Sequence, residues 1–172
     1  MCPPGRRLRL HVRHPDGRQG SAYLSRVPEN AVPDLTKSQY WSGPSWWNPQ
    51  GSWVTNNPGA ATAVIPPAGA CAGAGAGATV SEMSAQYNAY LKKYVVILCD
   101  QNNSVVIRTA DQLNGTWSDA KVLMPQQSGG IYAPMLNPWS PSTLGTAPDL
   151  HWNLSVWNDD NVQLMHTDLT KV

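Results

Sequence analysis

The sequence predicts an all-β chain and, within that class, roughly three blades of a β-propeller. Residues 94–98 and 105–109 are two β-rich runs joined by the polar turn 100–104, the pattern of a hairpin. The second run belongs to a phrase that recurs, an alternating apolar strand followed by an Asp-Leu turn. It is found at residues 21–27 with Asp34-Leu35, at 105–109 with Asp111 and Leu113, and at 162–167 with Asp168-Leu169. In the first two copies an aromatic and a glycine follow closely, as Tyr40-Trp41-Ser42-Gly43 and Gly115-Thr116-Trp117. Spacing turns the repeat into an architecture: Leu164 lies 57 residues after Ile107, and Ile107 lies 83 after Leu24. A four-stranded blade takes roughly 40 to 60 residues, so the intervals are one blade and one blade with an insertion.

Taken in order, residues 1–14 (MCPPGRRLRLHVRH) stand apart in composition, with Arg6, Arg7, Arg9 and Arg13, two His and two Pro. They are expected to be an aberrant basic tail, of the kind a GC-rich coding sequence yields when read out of frame. The domain proper is then 15–172. Pro15-Asp16-Gly17-Arg18 is a turn, 21–27 a strand that Pro28 ends, and 42–63 a long connection rich in Trp, Asn, Pro and Gly. Residues 68–79 (AGACAGAGAGAT) offer almost nothing to bury and are expected to be a flexible surface insertion. Strands follow at 83–87, 94–98, 105–109 and 122–124 for one blade, then at 131–136, 150–156 and 162–167 for the next. Residues 83–93 have helix-compatible composition too, but propensity alone is a weak guide.

Composition narrows the partners. A net charge of +1 with 13% charged residues argues against nucleic acid, whose backbone demands many basic contacts on one face. Neutral or weakly polar partners are expected instead. Eight Trp and six Tyr beside no Phe suit stacking on sugar rings, and equally suit propeller cores. Cys2, Cys71 and Cys99 show no metal-type spacing and no disulfide framework, and Cys99, ending an apolar run, reads as a small buried hydrophobe. No apolar run reaches the roughly 18 residues of a membrane span, and no apolar signal core opens the chain, which as it stands shows no route out of the cytoplasm. His151 and His166 fall within strands without metal-like spacing, while His11 and His14 lie in the tail. There is no G-x-S-x-G elbow, and the GAGAGA run lacks the Lys-Ser/Thr of a phosphate loop. No metal and no cofactor are therefore expected.

A propeller gathers function where its inner strands begin. Two residues stand there: Glu82, the only acidic residue between Asp34 and Asp100, and Tyr132 in Gly-Gly-Ile-Tyr-Ala-Pro. Glu82 reads either as a solvated loop carboxylate or as a general acid gripping a sugar. Glycoside cleavage ordinarily takes two carboxyl groups, about 5 Å apart for retention and about 6.5 to 9.5 Å for inversion. Asp100, Asp111, Asp119, Asp149, Asp159, Asp160 and Asp168 all fit turn or strand-end roles, so no partner for Glu82 stands out.

Six motifs in one order now match a family. They are Gly17-Arg-Gln-Gly-Ser-Ala-Tyr-Leu-Ser-Arg-Val27; Tyr40-Trp41-x-Gly43; Glu82-Met-Ser84 with Tyr87-Asn88; Ile107-Arg-Thr-Ala110 with Gly115-x-Trp117-Ser118; Ile131-Tyr-Ala-Pro134; and Leu154-Ser155-x-Trp157 with Asn161-Val-x-Leu-Met165. Over about residues 15–170 the chain resembles the C-terminal part of the domain of unknown function 4185 family, which includes the endo-D-arabinanases of glycoside hydrolase family 183. The resemblance implies a five-bladed propeller and secreted or envelope-associated enzymes that cut α-D-arabinofuranosyl linkages of mycobacterial-type cell walls. It carries Glu82 over as the catalytic residue, with Tyr132 as a channel-lining contact and arabinan polysaccharide as the partner; for a binding fragment, Tyr132 and Trp157 are the expected substrate contacts. Family members are longer, and their early acidic blades have no counterpart here. Two expectations follow: an arabinan-directed hydrolase relative with little or no turnover, or a non-catalytic carbohydrate-binding fragment. Either would leave an open sheet edge that invites self-association.

Overall fold

The structure, a computed structural model, describes residues 8–13, 20–65, 80–159 and 161–172. These form three antiparallel sheets stacked face to face, so the chain is all-β as the alternating runs predict. The glycine/alanine insertion at 68–79, the turn at 15–18, and Cys2, His14, Cys71 and Asp160 lie outside the described residues.

The first sheet holds β1 (Leu8–Arg13), β2 (Ala22–Pro28), β3 (Gln39–Ser42), β4 (Ser52–Thr55) and β5 (Ala63–Ile65). β1 corrects the sequence reading of residues 8–13 as part of a tail. Leu8, Leu10 and Val12 alternate with Arg9, His11 and Arg13, and the strand pairs with β2 along its whole length, from Leu8 opposite Pro28 to Arg13 opposite Tyr23. The long connection at 42–63 is likewise not empty. β4 returns against β3, placing Trp53 opposite Trp41 with ring centroids 5.4 Å apart, and β5 pairs with β2 at Ala22 and Tyr23.

The second sheet is a meander of β6 (Met83–Asn88), β7 (Lys93–Cys99), β8 (Val105–Ala110) and β9 (Lys121–Met124). Residues 83–93 are strand and tight turn rather than helix. Asn88 Oδ1 accepts the Leu91 N–H at 3.0 Å and Lys92 takes a positive φ of 56°, which closes the hairpin and sets Tyr87 opposite Tyr94. The third sheet joins β10 (Ile131–Leu136), β11 (Asp149–Val156) and β12 (Val162–Asp168), with the single helical turn α1 (Pro141–Leu144) between the first two.

The middle sheet is buried on both faces, which explains why β7 reads as a nearly continuous apolar run. Val96 and Leu98 of β7, with Val106 and Ala110 of β8, pack against Ala22, Leu24, Trp41 and Ile65 of the first sheet. Val95, Ile97 and Cys99, with Val105 and Ile107, pack against Ile131, Leu150, Trp152 and Leu154 of the third. Trp117, the aromatic that follows the second Asp-Leu turn, is buried in the first of these cores. Cys99 is fully buried in the second. Polar ties fasten the stack. Val80 N–H donates to Gly20 C=O, Gln86 Nε2 to Thr143 Oγ1 at 2.8 Å, and Asn88 Nδ2 to Ser142 Oγ at 3.1 Å. No helix among the described residues is long and apolar enough to cross a membrane.

The Asp-Leu phrase has a physical basis. Asp34-Leu-Thr-Lys37 and Asp168-Leu-Thr-Lys171 are the same four residues, and each folds into a 3₁₀ turn. In both, one carboxylate oxygen accepts the N–H and the hydroxyl of the threonine two residues on, at 3.0 and 2.6 Å for Asp34 and 2.9 and 2.7 Å for Asp168. These bonds hold both carboxyls below the usual aspartate pKa range.

Candidate functional site

β11 alternates Asp149, His151, Asn153 and Ser155 with Leu150, Trp152, Leu154 and Val156. Period-two alternation sends the apolar set into the core and leaves the polar set on the far face of the third sheet. Residues directly opposite in antiparallel pairs share a face. That face therefore also carries Tyr132 opposite Ser155, Met135 and Leu164 opposite Asn153, and His166 opposite His151.

Tyr132 is aimed by an irregular backbone. Between the pairs Tyr132–Ser155 and Met135–Asn153, two residues of β10 face one of β11, a β-bulge. Ala133, within it, has φ of 49°, a left-handed conformation that an alanine adopts only under constraint, and it precedes Pro134. The bulge resets the alternation so that Tyr132 and Met135 both point outward. Trp157, just past β11, meets Tyr132 with ring centroids 4.7 Å apart and planes tilted by 36°. The Trp157 N–H donates to Gly130 C=O at 3.1 Å, and Gly130, at φ of 80°, leaves the space the indole occupies: a Cβ there would come within 2.8 Å of Trp157 Cδ1. Trp157 remains about half exposed, at 51%.

Along the same face, His166 Nε2 lies 2.7 Å from Asp149 Oδ1, and the His151 and His166 rings are 5.2 Å apart. Sequence spacing gave no hint of this group, because 15 residues and a turn separate the two histidines. The signal was in the strand alternation: reading the polar half of β11 as a face, rather than as solvent filler, finds Asp149, His151 and Asn153 together. Among the described residues no set of three or more His, Cys, Asp or Glu side chains is arranged to hold a metal ion.

Glu82 stands elsewhere. It immediately precedes β6, half-buried, in a recess of about 370 Å³ that it shares with Val12, Arg13 and Met83. Ser81 fixes the chain before it, since its Oγ–H donates to Cys99 C=O at 3.0 Å and its Oγ accepts the Cys99 N–H at 3.1 Å. Tyr132 and Trp157 do not line this recess; they are brought to each other and not to Glu82. Most described aspartates are engaged locally. Asp100 Oδ1 accepts the N–H groups of Asn102 and Ser104, Asp111 pairs with Lys93 at 2.8 Å, Asp149 with His166, and Asp34 and Asp168 cap their turns.

A family model described as Domain of unknown function (DUF4185) matches residues 11–166. No curated protein matches the chain.

Proposed function

The chain belongs to the DUF4185 family, and from that premise we propose that it is a glycoside hydrolase relative that holds cell-wall D-arabinan on the open face of the third sheet, with weak turnover or none. The observation that carries this is the Tyr132–Trp157 pair, 4.7 Å apart with Trp157 about half exposed, on a face that also presents Ser155, Asn153 and His151. Sugar recognition combines a flat apolar surface for the ring with donors and acceptors for its hydroxyls, and tyrosine and tryptophan supply both. The stack of sheets supports a reading as three blades of a five-bladed propeller, with β6 and β10 as inner strands. Glu82, at the start of β6, is then the general acid. Among the described residues Arg13 is the other ionisable group of its recess, so those residues do not supply the carboxylate spacing of a retaining or inverting pair. That favours binding over cleavage. The substrate class places the protein's work at the cell envelope.

Calorimetric titration with soluble D-arabinan tests the reading. Trp157→Ala and Tyr132→Ala are each expected to weaken binding roughly five- to thirtyfold, the loss of about 1 to 2 kcal/mol that removing an aromatic anchor brings. Unchanged affinity in both variants would remove this face from the proposal. Release of reducing ends from D-arabinan, abolished by Glu82→Gln, would move the protein from binder to enzyme; release that survives the substitution would take Glu82 out of the mechanism.

A further inference from the structure

Antiparallel pairing brings four titratable side chains into one square on the open face of the third sheet: Asp149 of β11 opposite Asp168 of β12, and His151 opposite His166. Asp168 is occupied, since its Oδ1 accepts the N–H and the hydroxyl of Thr170 and its Oδ2 lies 3.6 Å from Lys171 Nζ. Asp149 turns to His166, with Oδ1 2.7 Å from Nε2, and both side chains stay open to solvent. The two imidazoles meet across the strands with ring centroids 5.2 Å apart. The hydrogen bonds of His151 run through its backbone, to Ser140 and Asn137, so among the described residues its ring nitrogens are uncommitted.

We propose that His151 and His166 are the two protein ligands of a divalent metal site that prefers Zn²⁺, Cu²⁺ or Ni²⁺, with Asp149 as a positioning residue for His166. Imidazole nitrogens hold Zn²⁺ at about 2.0 to 2.1 Å, so two rings that share one tetrahedral ion have centroids roughly 5 Å apart. The register of β11 and β12 already holds that separation. A metal-bound histidine characteristically donates its other ring N–H to a carboxylate, which fixes the tautomer and raises the basicity of the nitrogen on the metal. With Nε2–H given to Asp149, the lone pair of His166 is on Nδ1, the atom that would bind the ion.

The donor set selects the ion. Neutral imidazole suits Zn²⁺, Cu²⁺ and Ni²⁺, whereas Ca²⁺ and Mg²⁺ take oxygen ligands, and of the two carboxylates in the square one caps its turn and the other holds His166. Two protein ligands leave the remaining positions to water, which is why no set of three or more His, Cys, Asp or Glu side chains marks the site among the described residues. Such a site binds more weakly than a closed structural zinc centre, whose four ligands all come from the protein. The same face carries Tyr132 and Trp157, but this inference rests on the register of β11 and β12 and stands or falls apart from arabinan binding.

The test is a titration of the full chain with zinc chloride, followed through the histidine ring signals in proton–nitrogen NMR spectra. The His151 and His166 signals are expected to shift together, and magnesium chloride at the same concentration to move neither. His151→Gln is expected to abolish the response of His166, and His166→Gln that of His151. Thermal melts of both variants without metal, expected to match the parent, separate loss of a ligand from loss of fold. Asp149→Ala is expected to weaken zinc binding about tenfold while both rings still respond, as the loss of an orienting carboxylate does. Zinc that leaves both ring signals of the parent unmoved, or moves one alone, would overturn the proposal. So would a response that survives either glutamine substitution, or equal shifts with magnesium.

Discussion

At the scale of single residues, two positions make sharp claims. Gly130 combines a positive φ with a missing side chain whose place the Trp157 indole fills. Gly130→Ala is expected to cost about 1 to 2 kcal/mol from the left-handed backbone alone. It should also displace Trp157 and weaken arabinan binding as much as Trp157→Ala does. Thermal melts and the titration, run on the same variant, check both parts; a loss of stability with binding intact would separate the glycine from the aromatic pair. His11 makes a claim about pH. Its pKa is lowered by burial first, then by Arg13 and Arg9, and its Nε2 is buried without a hydrogen-bond partner among the described residues. A histidine whose folded pKa lies below its ordinary value favours the fold when neutral. Its contribution is therefore complete above about pH 6.5 and is lost as pH falls through that value toward the lower folded one. The melting temperature should drop between pH 7.5 and pH 5, and drop less in His11→Gln; identical pH profiles would show that His11 does not couple to folding.

At the scale of elements, the paired Asp-Leu-Thr-Lys turns act as fasteners, one leading into β3 and one closing β12. Both aspartates have folded pKa values below the usual one because each carboxylate accepts two bonds from its threonine. Their stabilisation is present above the ordinary aspartate pKa near 3.8 and fades as pH falls through the depressed folded values. Asp34→Ala with Asp168→Ala should lower the melting temperature at pH 7 and narrow the gap to the parent as the medium becomes acid, as a pH series of melts would register. The turns were legible in the sequence because the same four letters occur twice and the chemistry is local. So were β2, β7, β8, β10 and β11, whose alternation or apolar runs come from burial against neighbours. β1 was not: its arginines mask a period-two pattern, and β2 supplies the partner that makes it a strand. β4 and β5 are short, at four and three residues, and sit among Trp, Asn and Gly with little periodicity to display. Tyr132 and Trp157 were legible as aromatics beside turns, but their mutual contact depends on a bulge at Ala133 that no spacing rule reports.

At the scale of the whole molecule, the second sheet decides how the chain unfolds. Successive residues of β7 feed alternate cores, Val96 and Leu98 on one side and Val95, Ile97 and Cys99 on the other, so neither core can open without disturbing the strand that also lines its twin. Ile97 is fully buried among residues of the third sheet, and Ile97→Ala should cost about 2 to 5 kcal/mol by lost burial and the cavity left behind. The informative part is where that loss is felt. Trp41 and Trp117 report on the core with the first sheet, while Trp152, whose indole N–H donates to Thr167 Oγ1 at 3.0 Å, reports on the core with the third. If β7 couples the cores, single-tryptophan variants of the Ile97→Ala protein unfold in urea with one shared midpoint, displaced equally for both reporters. A shift confined to Trp152 would mean that the stack behaves as quasi-independent sheets, each stabilised mainly by its own neighbour. The shared midpoint is the expected result, because adjacent residues on one backbone cannot move to opposite faces separately.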